Sequence, residues 1–140
     1  LERVAPVTIV QGNRDWLLGM HTPPNFTTTI NGVKVTLAHG HHSLLFYLVD
    51  KFFHVRRSYN LEHYYQRLLK DYPQSDVIIF GHTHWQIAKW VKGQVIFNPG
   101  AAYPCKKNHY TPQFGILSIT AEGDIRTQFC SLPKTIPNRR

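Results

Sequence analysis

The chain has 140 residues, enough for one domain with a real core, and its 42% hydrophobic and 13% aromatic content agrees with one compact unit. No apolar run is long enough to span a bilayer and no signal-peptide pattern opens the chain, so no membrane association is expected and the cytoplasm is the expected compartment. A net charge of +8 suits anionic partners, but the basic residues fall in short clusters such as Arg56-Arg57 and Lys106-Lys107 without an aromatic–basic repeat, which argues against a specific nucleic-acid module.

In chain order, the apolar run at residues 7–11 predicts a first strand that enters Gly12-Asn13-Arg14-Asp15. Residues 26–30 and 33–38 flank Asn31-Gly32, the strongest short signal for a two-residue hairpin, and this sets His39-Gly40-His41-His42 at a strand end. The apolar segment 44–53 suits a helix over the site mouth, a patch docking a second subunit in a homo-oligomer, or plain core packing. Leu61, Tyr64, Tyr65, Leu68, Leu69 and Tyr72 then follow helical spacing, with Asn60 as cap and Pro73 beyond the end. The run 77–80 predicts a buried strand, and a helix leading into such a strand favours a layered α/β architecture.

Downstream, residues 86–91 and 94–97 surround Lys92-Gly93, and residues 114–120 and 124–129 surround a turn at Glu122-Gly123. All four segments suit an antiparallel second sheet. Residues 133–140 hold two prolines without periodicity and read as a tail, leaving one domain over 1–132. Cys105 and Cys130 fit no metal or redox spacing and read as free thiols.

The chemistry gathers at strand tips. Gly81-His82-Thr83-His84 offers two imidazoles one residue apart at the end of a buried strand, and Asn13 and His39 stand at two further strand ends. Taken in order, Gly12-Asn13, His39-Gly40, Gly81-His82-Thr83-His84 and Asn98-Pro99-Gly100 resemble the motifs of the calcineurin-like metallophosphoesterases, in particular their small bacterial and archaeal phosphodiesterase branch. The resemblance runs from about Val7 to about Cys130 and implies a layered β-sandwich flanked by helices. That family also uses an Asp-x-His and a Gly-Asp-x-x-Asp upstream of the Gly-Asn pair. Neither precedes Gly12 here, so an N-terminal βαβ portion is expected to be missing.

The resemblance implies that Asn13, His39 and His82 bind one metal of a pair and that His84 binds the other. Two cations would activate water for in-line attack on a phosphoester, with this chain supplying part of the ligand set. The implied cofactor is a divalent ion, manganese first, with zinc, iron or nickel also suited to imidazole ligands. Relatives carry His or Cys where Arg14 stands. A guanidinium does not release a proton, so Arg14 is read either as a bidentate phosphate contact or as a surface partner of Asp15, and the general acid stays unassigned. His41 is read as steadying substrate or as a solvated loop residue. Asn98-Pro99-Gly100 is read as an architectural turn beneath the site, and Lys106, Lys107 and His109 either as contacts for an anionic substrate or, in preference, as an ordinary solvated loop near it. The expected activity is hydrolysis of a small phosphoester. The alternative is a catalytically inactive protein-interaction scaffold of the same fold, similar to the retromer subunit built on it.

Overall fold

The computed structural model describes residues 5–12, 15, 21–40 and 61–133, with the side chain of His63 excepted. Asn13, Arg14, His41, the apolar segment 44–53 and the tail after Pro133 lie outside the described residues. No helix among the described residues is long and apolar enough to cross a membrane.

Strands β1 (Asn25–Ile30) and β2 (Val33–Ala38) form the hairpin expected around Asn31-Gly32. The φ values of 49° and 80° at those two positions are the left-handed pair that joins right-twisted strands in two residues. Helix α1 (Leu61–Asp71) precedes β3 (Val77–Phe80), which pairs parallel with β2, as a strand–crossover–strand unit requires. A second hairpin, β4 (Gln86–Val91) and β5 (Gln94–Pro99), turns at Lys92 and Gly93 with φ values of 51° and 82°. The resulting sheet has the order β1-β2-β3-β5-β4, three parallel strands bordered by one antiparallel strand on each side. Strands β6 (Gln113–Ile119) and β7 (Ile125–Ser131) form a separate antiparallel pair.

Two sequence expectations are corrected here. Residues 86–99 do not join the last two strands in a second sheet; β5 pairs parallel with β3 inside the main one. The reason lies in Val95-Ile96-Phe97-Asn98, four consecutive buried residues, since a strand apolar on both faces belongs in the middle of a covered sheet. Residues 7–11, expected as a first strand, form no strand with the described residues. Val7 and Ile9 are 36% and 53% exposed, and without a neighbouring ladder an apolar run has nothing to pair with.

The sheet is covered on both faces. Tyr64, Tyr65, Leu68 and Leu69 of α1 pack on Ile78, Phe80 and Ile96, while Val33, Val35, Val77 and Val95 face Leu117, Ile119 and Ile125 of the β6–β7 hairpin. Alternation along β3 sends Val77 to the hairpin and Ile78 to the helix, which is why the strand reads as continuously apolar. The tips are tied as well, because the Asn31 amide donates to the carbonyls of Ile119 and Thr120 at 3.1 and 2.9 Å.

The hairpin reaches β5 through Phe129, whose ring stacks on Phe97 with centroids 5.7 Å apart. Gly115 makes this approach possible, since a Cβ there would lie 2.4 Å from Phe97 Cζ and 3.1 Å from Pro99 Cβ. Gly115→Ala is therefore expected to overpack the interface and lower stability by about 1–3 kcal/mol. Urea denaturation should show a lower midpoint with an unchanged slope.

Candidate metal centre

Ala38 and Phe80 are paired at the C-terminal ends of the parallel strands β2 and β3, so His39 and Gly81-His82 leave the sheet side by side. The mouth formed by parallel strand ends is where α/β sheets hold ligands. The His39 and His82 rings meet edge to face with centroids 5.3 Å apart. Two imidazoles sharing one ion, each with a nitrogen about 2 Å from it, hold their ring centres about 5 Å apart, so this pair fits a common cation.

The turn that carries His82 is strained. His82 has a φ of 62°, and the Thr83 N–H donates across it to the Gly81 carbonyl at 2.7 Å, a γ-turn of the rare positive-φ kind. His84 also stands at φ 62°, so two non-glycine residues flank the buried Thr83 in a left-handed conformation. Such backbone persists only where its surroundings over-determine it.

Asn98, fully buried in β5, supplies much of that constraint. Its side-chain amide donates to the Gly81 carbonyl at 2.8 Å and to Thr83 Oγ1 at 2.9 Å, while its Oδ1 accepts from the Gly100 N–H at 2.9 Å. Asn98 therefore grips both ends of the γ-turn. From α1, the Tyr64 ring stacks over His82 with centroids 6.4 Å apart and an interplanar angle of 16°, and its hydroxyl donates to the Gly40 carbonyl at 2.6 Å. Gly40 has a φ of 98°, and a Cβ there would lie 1.8 Å from the Tyr64 hydroxyl, so only glycine lets the chain turn after His39 beneath this ring.

His84 stands apart from the pair and meets Tyr103, with ring centroids 5.3 Å apart and the phenol oxygen 3.1 Å from Nδ1. Burial, and after it the positive charge of Lys107, holds the His84 imidazole below its ordinary pKa. Lys107 reaches this turn from the loop after β5, where its ammonium donates to the Thr83 carbonyl at 2.9 Å. The reading of this lysine as part of an ordinary solvated loop is thus corrected: Lys107 is anchored at the histidine turn.

Of the residues singled out from the sequence, His39 and His82 are brought together and His84 lies on the same turn facing Tyr103. No group of three or more His, Cys, Asp or Glu residues that could hold an ion occurs among the described residues. Asn13, Arg14 and His41 lie outside them. Sequence reasoning missed Tyr64 and Tyr103, which reach the histidines only through tertiary packing and carry no motif. Thr83 was missed too, although alternation at a strand end, which buries one position in two, could have marked it as inward.

Comparison with known proteins bears on the family and the fold. The family model described as the calcineurin-like phosphoesterase superfamily domain matches residues 1–122, and the chain belongs to that family. A probable metallophosphoesterase from Methanothermobacter thermautotrophicus is 30% identical over 122 residues, covering 87% of this chain and 61% of that protein. The chain thus spans about three fifths of the length of this curated relative. Among solved structures, Vps29 complexed with Zn2+ from Entamoeba histolytica superposes with a TM-score of 0.57 at 19% identity, over 89% of this chain and 68% of that one. A predicted phosphoesterase from Streptococcus pneumoniae gives a TM-score of 0.51 at 17% identity, over 88% and 69% of the two chains. Both share the α/β fold of this chain.

Asn98→Ala would take from the Gly81 carbonyl one of its two donors and from the buried Thr83 hydroxyl its amide partner, and it is expected to cost on the order of 3 kcal/mol in urea denaturation. The lowered pKa of His84 means that the folded state favours the neutral ring, so its contribution to stability is complete above the unfolded value of about 6.5 and is lost as pH falls through the folded value. A proton NMR titration should place the His84 midpoint below that of an exposed histidine. Lys107→Gln should restore it only in part, since burial is the larger cause.

Proposed function

We propose that this chain forms the metal-holding part of a phosphoesterase that hydrolyses a phosphodiester or phosphomonoester. The observation that carries this reading is the His39–His82 pair, two imidazoles at the ends of adjacent parallel strands with ring centres 5.3 Å apart. Family membership supports it, as does the name of the Methanothermobacter relative. The zinc ion named for the Entamoeba Vps29 structure supports a divalent cation on this fold.

In this reading His39 and His82, with Asn13, hold one cation, and His84 presents its neutral ring to the second. When bound, a pair of divalent ions supplies Lewis acidity toward a phosphoryl oxygen and acidifies water for in-line attack. Tyr64 fixes the plane of His82 by stacking, and Asn98 fixes the backbone that aims it. The Tyr103 hydroxyl orients His84, as outer partners of metal-binding histidines do. Arg14 and His41 contact the phosphate. Manganese is the first choice of ion, and imidazole ligands serve zinc, iron and nickel as well.

Metal analysis after mild purification tests the ligand assignment. The parent chain is expected to retain a divalent ion, with His82→Ala reduced to background; equal content in both removes the assignment. With added manganese, hydrolysis of a model diester should be slow in the parent and at least tenfold slower in His39→Ala. Absence of both metal retention and hydrolysis would turn the reading toward an inactive interaction scaffold.

A further inference from the structure

Two hairpin tips meet at the end of β2 opposite His39. The Asn31 amide, at the tip of the β1–β2 hairpin, donates to the carbonyls of Ile119 and Thr120 at 3.1 and 2.9 Å, where β6 ends. From the β6–β7 turn, a Cβ on Gly123 would stand 3.6 Å from the Asn31 carbonyl oxygen and 3.6 Å from a Val33 methyl, so the turn that carries Glu122 and Asp124 rests against this tip. Behind the contact, Ile119 and Ile125 pack on the cluster that holds Val33 and Val35. Asn31 is followed by Gly32, the only Asn-Gly pair in the chain.

Asparagine is chemically labile, and most so before glycine, which has no Cβ to keep its backbone nitrogen away from the neighbouring side chain. In deamidation the Gly32 nitrogen attacks Asn31 Cγ, the Cγ–Nδ2 bond breaks, and the side-chain nitrogen leaves as ammonia with the proton from the Gly32 N–H. Water then opens the succinimide ring at either carbonyl and leaves aspartate or isoaspartate. In the folded chain the leaving nitrogen is the atom that binds Ile119 and Thr120, so while both hydrogen bonds stand the amide is held in place. The reaction therefore draws on molecules in which the tips have parted.

We propose that Asn31 is a site of spontaneous deamidation gated by the contact between the two hairpins, and that the product does not remake that contact. A carboxylate is an acceptor only, so in place of two donated bonds it sets negative oxygen against the carbonyls of Ile119 and Thr120. The turn with Glu122 and Asp124 adds like charge from the same side. Isoaspartate goes further, because it inserts an extra backbone carbon into the two-residue turn that fixes the register of β1 on β2. Deamidation thus converts a tie between the two sheets into a repulsive contact.

The parent chain and Ile119→Ala, which keeps the carbonyl at position 119 but thins the packing behind it, are incubated in mildly alkaline buffer and followed by peptide mapping with mass spectrometry. Loss of the amide is expected at Asn31 ahead of Asn25, an exposed asparagine that precedes phenylalanine. It should be about tenfold faster in Ile119→Ala, in line with a larger open population. Circular dichroism verifies that both chains start folded; if Ile119→Ala does not, urea below the unfolding transition opens the tips of the parent instead and should bring the same acceleration. Asn25 modified as fast as Asn31, or a rate at Asn31 that neither change raises, overturns the proposal. Urea midpoints read the fate of the product. Asn31→Gly loses both bonds at a left-handed position that glycine accepts, so Asn31→Asp is expected to fall below it. A midpoint for Asn31→Asp equal to or above that of Asn31→Gly overturns the repulsion.

Discussion

The buried amide of Asn98 holds the Gly81 carbonyl and the Thr83 hydroxyl in one grip, and the position of both downstream histidines depends on it. A positive-φ γ-turn on a residue with a side chain is uphill by itself. It survives here because its ends are tied to β5, a strand buried from Val95 to Asn98 and bonded parallel to β3. The interior of the sheet thus supplies the free energy that keeps His82 in an orientation it would leave in a free peptide. A hydrogen-bonding amide suits the task better than an apolar residue, because the Gly81 carbonyl and Thr83 hydroxyl would otherwise be buried without that partner.

The site is shared among layers. β2 and β3 contribute His39 and His82, the helical layer contributes Tyr64 against His82, and the loop after β5 contributes Tyr103 and Lys107 against His84 and Thr83. His82 and His84 therefore each meet a tyrosine from a different part of the chain. Such division makes the geometry a reporter of the whole core: a shift of α1 on Ile78 and Phe80 would move Tyr64, and with it the ring stacked on His82.

The elements most legible in the sequence were those whose physics is local. Asn31-Gly32 and Lys92-Gly93 mark their hairpins because left-handed dihedrals select such residues, and α1 shows its apolar face at helical spacing. Strand partnership was less legible. Val95 to Asn98 could have read as a central strand from its unbroken burial, yet hairpin connectivity alone suggested a second sheet, since pairing is decided by which surface remains uncovered. The run at residues 7–11 failed for the complementary reason, because it meets no neighbouring strand among the described residues and strand propensity alone makes no strand.

The sequence by itself determined the ordered histidine motifs, the glycines that allow turns after them, and the periodicities that make a layered α/β chain, because each depends on residues close together along the backbone. Only the tertiary structure decided that His39 and His82 meet, that His84 turns to Tyr103, and that Lys107 rather than Lys106 is anchored at the turn. Those outcomes depend on strand order and on a loop folded around a buried asparagine, and contacts between segments tens of residues apart are set by packing, which no local pattern encodes.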